Sequence, residues 1–262
     1  ACPLGAALVT HGVVREGLRQ ARVVRAHALA HDLQMKLLPS SSKLEGTAQV
    51  AARCLPAEAV GGDFYNLFPL SGERLGILIG DVSSHGFPAA LIMALTMSAI
   101  AIYAQEGGPP GDVLRRVHYA LIQELENTEM SLALFYAVLD PAGGRLRYAN
   151  AGHPHAFRIP ATGAAERLGA GNPPLGTQLY AHYGEREVPW VRGQDLLCLF
   201  TDGLSDALAT DGTPTGEARL LEEVLKLRER APAEVLEHVY ALAASQRADI
   251  PADDRTAVLV RA

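Results

Sequence analysis

Apolar runs that stop on an aspartate recur along this chain, and they restrict what it can fold into. Leu75-Gly76-Ile77-Leu78-Ile79 leads into Gly80-Asp81, and Leu196-Leu197-Cys198-Leu199-Phe200 leads into Thr201-Asp202-Gly203. Two further segments, Gly61-Gly62-Asp63-Phe64-Tyr65 and Asp253-Asp254-Arg255-Thr256, place carboxylates in a Gly-rich turn and just before the apolar run Ala257–Val260. Runs this short and this apolar read as strands, so their ends carry carboxylates to the rim of a packed core. One Asp-Gly pair is ordinarily only a turn; the information lies in the repetition. Carboxylates gathered without matching Lys or Arg lack a positive charge, which a hard divalent cation bound through oxygen supplies. Four strand-end carboxylates can share two such ions, an arrangement used for in-line displacement at phosphorus.

The rest of the chain narrows the class. Of 262 residues, 48% are hydrophobic, enough for a substantial core. A net charge of −6 argues against a nucleic-acid or anionic-membrane partner. Cys2, Cys54 and Cys198 lack CxxC spacing and are odd in number, so neither a disulfide framework nor a zinc cluster is expected. A reducing, cytoplasmic compartment fits that usage. The chain opens on Ala1, as a piece of a longer protein would, and no positively charged segment precedes its first apolar residues in the manner of a secretory signal. Phe87 to Ala104 carries no charge, yet it contains Pro88, Thr96 and Ser98 and lacks basic flanks. It reads as a buried core helix, not a membrane span.

Periodicity divides the chain into a helical segment, 1–44, and a larger domain, 45–262. A helix is predicted over 13–38, ended by Pro39. Within it Val23, Ala26, Ala30, Leu33 and Leu37 step by three and four and line one face. Such a stripe either packs on its own domain or pairs with a second copy to form a homodimer; both remain open. Downstream, strands are predicted at Thr47–Leu55, Leu75–Ile79, Leu132–Leu139, Arg145–Asn150, Ala156–Ile159, Arg186–Trp190, Asp195–Phe200 and Ala257–Val260. Helices are predicted at Phe87–Gln105, Asp112–Glu126 with Asp112 as N-cap, Gly216–Arg230 and Pro232–Ser245. Hairpin-linked strands with helices between them imply an α+β fold of stacked antiparallel sheets covered by helices.

In order, the segments GGDFY (61–65), GDVSSHG (80–86), YANAGH (148–153), PPLG (173–176), LFTDG (199–203) and DDRT (253–256) resemble a known family. It is the bacterial metal-dependent serine/threonine phosphatases of the PPM (protein phosphatase 2C-like) superfamily, in the branch that holds SpoIIE and the Rsb-type regulators. The likeness covers roughly residues 33–262. It implies a four-layer α-β-β-α sandwich of two antiparallel sheets flanked by helices, and two Mn²⁺ or Mg²⁺ ions. Asp81 would bridge the ions beside the backbone carbonyl of Val82. Asp63, Asp202 and Asp253 would complete the ligand set, with Asp254 as the alternate to Asp253. A hydroxide held between the ions would attack phosphorus, and His85 would donate a proton to the leaving serine oxygen. The implied substrate is a phosphorylated protein, typically a small anti-sigma-factor antagonist in partner-switching signalling.

The chain departs from the branch at Ser84, where Gly is usual, and at Asn66, where Asp is usual. His153 stands where many eukaryotic relatives carry a further Asp. Glu58, five residues before Asp63, marks a region without the phosphate-binding Arg of those relatives. Two other functions are compatible with the residues: a regulatory binding module whose catalysis needs an activator, and a hydrolase of small phosphoesters. The second is disfavoured by the absence of a Gly-rich nucleotide motif.

Overall fold

Alternation along the strands sets the layers. The computed structural model describes residues 19, 22, 24–39, 47–209, 215–246 and 253–262. In β3 (Arg74–Val82), Leu75, Ile77 and Ile79 face one apolar cluster while Leu78 and Val82 face another. The first cluster lies between two sheets. The second is roofed by α2 (Gly86–Gln105) and α3 (Pro110–Thr128). With both faces covered, a nine-residue strand can be almost wholly apolar.

One five-stranded sheet runs β2 (Phe64–Leu70), β3, β4 (Leu132–Asp140), β5 (Arg145–Ala151), β8 (Arg186–Pro189). The other runs β1 (Gln49–Leu55), β10 (Arg255–Arg261), β9 (Leu196–Phe200), β6 (Ala156–Ile159), β7 (Glu166–Arg167). Every pairing within them is antiparallel. On the outer face of the second sheet, α5 (Gly216–Lys226) and α6 (Pro232–Gln246) cover Phe157, Cys198, Phe200 and Leu259. The short α4 (Asp202–Asp206) follows β9 directly. This is the α-β-β-α sandwich that the sequence implied.

Several boundaries moved, each for a local reason. β3 runs three residues past the expected Ile79, so Asp81 lies within the strand and pairs opposite Ala133. β2 was not anticipated at all. Phe64 and Phe68 turn toward the helices while Tyr65 and Leu67 turn between the sheets, so its apolar pattern shows no alternation. Asp112 is not an N-cap. Pro109 takes that place, Pro110 opens α3, and Asp112 sits in the first turn, where its charge favours the helix N-terminus.

The helix expected to be buried is buried on one side only. Ala89, Ile92, Met93, Thr96, Met97, Ile100 and Ala104 of α2 pack inward, whereas Phe87, Leu91, Leu95 and Ile102 are exposed. By length and composition alone α2 is apolar enough to cross a membrane, but its inner face forms part of the sandwich core. The N-terminal helix, α1, is described over 24–37. Of its earlier predicted turns only residues 19 and 22 are described; Val23 of the apolar stripe and the Ser40-Ser41-Ser42 linker lie outside the described residues.

Candidate metal centre

Parity along four strands brings the site together. Tyr65 and Leu67, Ile77 and Ile79, Leu197 and Leu199, and Val258 and Val260 all face the gap between the sheets. Extending each strand by two-residue steps puts Asp63, Asp81, Thr201 and both Thr256 and Asp254 on that same face. Phe64 pairs with Gly80, and Ala257 with Phe200, so all these positions fall at one end of the sandwich.

Asp63 is buried just before β2, and its Oδ2 accepts a 2.6 Å hydrogen bond from the Thr201 hydroxyl. Thr201 also receives the Thr256 amide at 3.0 Å, linking β9 to β10 at the floor of the site. Burial, then the negative charge of Asp81, holds the Asp63 carboxyl well above its ordinary pKa. Asp81 is pushed up to about 7 by burial and by Asp202, Asp253 and Asp254. Asp253 is raised by burial and by Asp202, Asp254 and Asp206, against the Asp254 amide that it accepts. No cation enters any of these three sets of causes. Like charges are crowded here, and among the described residues only neutral hydrogen-bond donors offset them, the condition that a bound cation relieves. Asp206, on α4 beside Asp202, belongs to this electrostatic cluster and was missed in the sequence; a carboxylate four residues from Asp202, one helical turn on, was the available signal.

The two adjacent aspartates divide in role. Asp254 is buried, and its carboxylate accepts the amides of Ala57 (2.7 Å), Gly62 (2.8 Å) and Asp63 (3.3 Å). It therefore holds the loop that carries Asp63. Asp253 is exposed and, among the described residues, bonds only the Asp254 amide, at 2.8 Å. Close packing around Asp254 also explains two glycines. A Cβ at Gly61 would overlap the Asp254 carboxylate, and one at Gly203 would overlap the Asp254 carbonyl. Neither has a left-handed φ, so they serve close approach, not an unusual backbone angle.

The loop after Asp81 is pinned at both ends. Ser83 exchanges bonds with Ser131 at the start of β4, through its amide (2.9 Å) and its hydroxyl (2.8 Å). Ser84 donates its amide to the Val82 carbonyl at 2.6 Å. That carbonyl keeps a second lone pair. Ser84 has no positive φ, so serine fits there without backbone strain. His85 is the extended N-cap residue of α2, and its Nδ1 lies 3.1 Å from the Glu58 carboxylate, with both side chains exposed. Asn66 shares the helix-facing parity of Phe64 and Phe68 and bonds the Leu67 amide, away from the aspartates. His153 is fully buried, with both ring nitrogens unpartnered among the described residues. Burial lowers its pKa to about 3, so it is a neutral packing group.

α1 reaches this site. Gln34 is buried, and its side-chain amide clamps Gly61 from both sides, Nε2 to the carbonyl (2.9 Å) and the amide to Oε1 (3.0 Å). His31 adds a 2.9 Å bond to the Ala59 carbonyl. The loop bearing Asp63 is thus held by Asp254 on one side and by α1 on the other.

Among the described residues, no three His, Cys, Asp or Glu side chains form a closed ligand cluster. The donor set nevertheless suits Mg²⁺ or Mn²⁺: every candidate is an oxygen, and hard ions of this kind keep several waters and need few carboxylates.

Residues 71–262 match the family model described as Stage II sporulation protein E (SpoIIE). The chain is 28% identical over 185 residues to phosphoserine phosphatase RsbU of Bacillus subtilis, covering 70% of this chain and 54% of that protein. The chain spans from a third to just over half the length of the curated relatives it matches. Among solved structures, the SiaA-PP2C domain of Pseudomonas aeruginosa superposes with a TM-score of 0.81 at 22% identity, over 93% of this chain and 98% of that one. The catalytic domain of serine threonine protein phosphatase PstP, in complex with two manganese ions, superposes with a TM-score of 0.60 at 18% identity, over 82% and 97%.

Proposed function

The chain belongs to the SpoIIE family, and on that footing we propose that it is a metal-dependent protein serine/threonine phosphatase. The observation that carries this reading is the convergence of Asp63, Asp81 and Asp253 at one end of the sandwich, close enough to Asp202 and Asp254 to raise one another's proton affinity, with no basic side chain of the described residues among the causes. Asp81 would bridge two Mn²⁺ or Mg²⁺ ions beside the Val82 carbonyl, with Asp63, Asp202 and Asp253 as the flanking ligands. Asp253 is preferred over Asp254 because both Asp254 oxygens are already committed to backbone amides. When bound, the ions supply the positive charge that activates water and offsets the phosphoryl oxygens. The protein's own part is to hold the ligands, through Asp254, Thr201 and Gln34, and to deliver a proton to the leaving oxygen.

His85 is the proposed donor. Glu58 engages Nδ1, which leaves Nε2 to face a substrate at the mouth of the site. A serine alkoxide needs that proton far more than a nitrophenolate does. His85→Ala is therefore expected to slow hydrolysis of a phosphoserine peptide by about a hundredfold and that of p-nitrophenyl phosphate by only a few-fold. Equal losses on the two substrates would remove His85 from the proton step. The substrate class is tested by a panel of phosphoserine protein, phosphopeptide and nucleotide at matched metal: hydrolysis of the nucleotide in preference to the others would overturn the reading. The resemblance to the Rsb-type branch supports a small anti-sigma-factor antagonist as the physiological substrate.

A second, regulatory reading rests on α1. Its inner side clamps Gly61 through Gln34, while Val24, Leu29, Leu33 and Leu37 are exposed. His27 lies against Phe87 at 5.5 Å between ring centroids, which sets this face beside the exposed Phe87, Leu91 and Leu95 of α2. A second copy pairing along α1 would bury that surface and steady the Asp63 loop. Removing residues 1–38 is expected to halve the mass in solution and lower the rate. Gln34→Ala, in the intact chain, is expected to lower kcat by about tenfold with little change in mass. Unchanged mass and rate would make α1 ordinary packing.

A further inference from the structure

Among the described residues, the Asp202 carboxylate bonds only the amide of the next residue, Gly203, at 2.8 Å. Its place is therefore set by the backbone where β9 ends and α4 begins. Phe200, the last residue of β9, is wholly buried on the outer face of its sheet. Its amide donates to the His155 carbonyl at 3.1 Å. Its ring stacks on that of His155, at 4.7 Å between centroids and 11° between planes, and on that of Phe157, at 5.8 Å and 11°. Glu217, in the first turn of α5, meets the His155 Nδ1 through its Oε2 at 2.6 Å. The other Glu217 oxygen takes Arg167 of β7. That guanidinium also donates to the Pro154 carbonyl at 2.6 Å and covers the Phe157 ring at 4.5 Å. The side chains of His155 and Glu217 are only 12% and 19% exposed. Burial opposes ionisation of Glu217, but the bonds from Arg167 and His155 outweigh it and hold the carboxyl below its ordinary pKa.

Glu217 also sits where α5 touches α4: a Cβ on the preceding residue, Gly216, would overlap the Ser205 carbonyl. The first turn of α5 is thereby set against both sides of the bend that carries Thr201 and Asp202. We propose that Glu217 is a positioning residue of the metal centre. Acting through His155, it fixes Phe200 and so the direction in which Asp202 leaves β9. The inference rests on Asp202 as a metal ligand, the reading given above. A residue of this kind need not touch the ion; it removes freedom that the ligand would otherwise lose on binding. An ion pair that merely pinned α5 to the sheet would act on stability alone.

The test is calorimetric titration of the full chain, stripped with EDTA and dialysed, with Mn²⁺, beside thermal unfolding without metal. Glu217→Ala and His155→Ala are each expected to weaken Mn²⁺ binding about tenfold. The double variant is expected to lose no more than either alone, because the two residues act in series. Asp195→Asn is the control. Asp195 lies just before β9, at the end opposite Asp202, buried and bonded to Arg158 and the Val191 amide. Its substitution is expected to lower the melting temperature and leave the affinity for Mn²⁺ unchanged. Wild-type affinity in Glu217→Ala, additive losses in the double variant, or an equal loss of affinity in Asp195→Asn would each overturn the inference and leave the metal centre standing. A wild-type chain that binds no Mn²⁺ would overturn the inference together with the reading beneath it.

Discussion

Asp81→Asn is expected to lower phosphate-ester hydrolysis by about a hundredfold or more and, at the same time, to raise the melting temperature of protein stripped of metal. The two effects have one origin. Asp81 lies where burial and three other carboxylates push its pKa up to about 7 from its ordinary value of 3.8. Between those pH values the folded state holds the proton more tightly than the unfolded chain, so the contribution of this group to stability falls as pH rises and is gone above the folded pKa. At pH 8 the asparagine removes that penalty, worth on the order of 2 kcal/mol for a partly exposed group. At pH 4 the gain should vanish. Added Mn²⁺ should reverse the order, because it stabilises the wild type by mass action and the variant far less. Calorimetry at pH 4 and pH 8, with EDTA and with Mn²⁺, reads all four conditions. An Asn variant that hydrolyses at the wild-type rate would refute the bridging role.

Asp254→Ala is expected to fail differently, through the fold. Its carboxylate is the buried acceptor for three amides of the loop that carries Asp63, and truncation leaves those amides unpaired. The loss should be about 3–5 kcal/mol, or roughly 10 °C in melting temperature for a chain of this size. Asp253 bonds, among the described residues, only the neighbouring amide, so Asp253→Asn should move stability by less than about 1 kcal/mol, while weakening divalent-ion binding. The pair separates a residue that builds the site from one that would serve in it. Equal destabilisation by both substitutions would show that the division is wrong.

That division was out of reach in the sequence. Asp253-Asp254 reads as two interchangeable carboxylates, and only the position of Gly61 and Gly62 against Asp254 assigns the second to the backbone. By contrast, strand parity made the inward placement of Asp63 and Asp81 legible, whereas in the run that ends at Phe200 it is Thr201 that faces the gap, and Asp202 opens α4 one residue on. The sandwich was legible for the same reason, wherever one face differed from the other or a turn such as Asp140-Pro141-Ala142-Gly143-Gly144 marked a hairpin. β2 escaped because both of its faces are apolar. Gln34 escaped because a glutamine on an amphipathic helix looks like any solvated polar residue; its clamp on Gly61 is a tertiary contact across 27 positions. Asn66 and Ser84, read as departures near the site, proved to be a residue on the opposite strand face and a residue in ordinary backbone geometry.

Phosphate release from a phosphoserine-bearing protein substrate, followed while Mn²⁺ is titrated into EDTA-stripped protein, tests the account most directly. The expected result is no release in EDTA, and a rate that rises saturably with Mn²⁺ in the wild type and stays flat in Asp81→Asn. Full release in excess EDTA would contradict it.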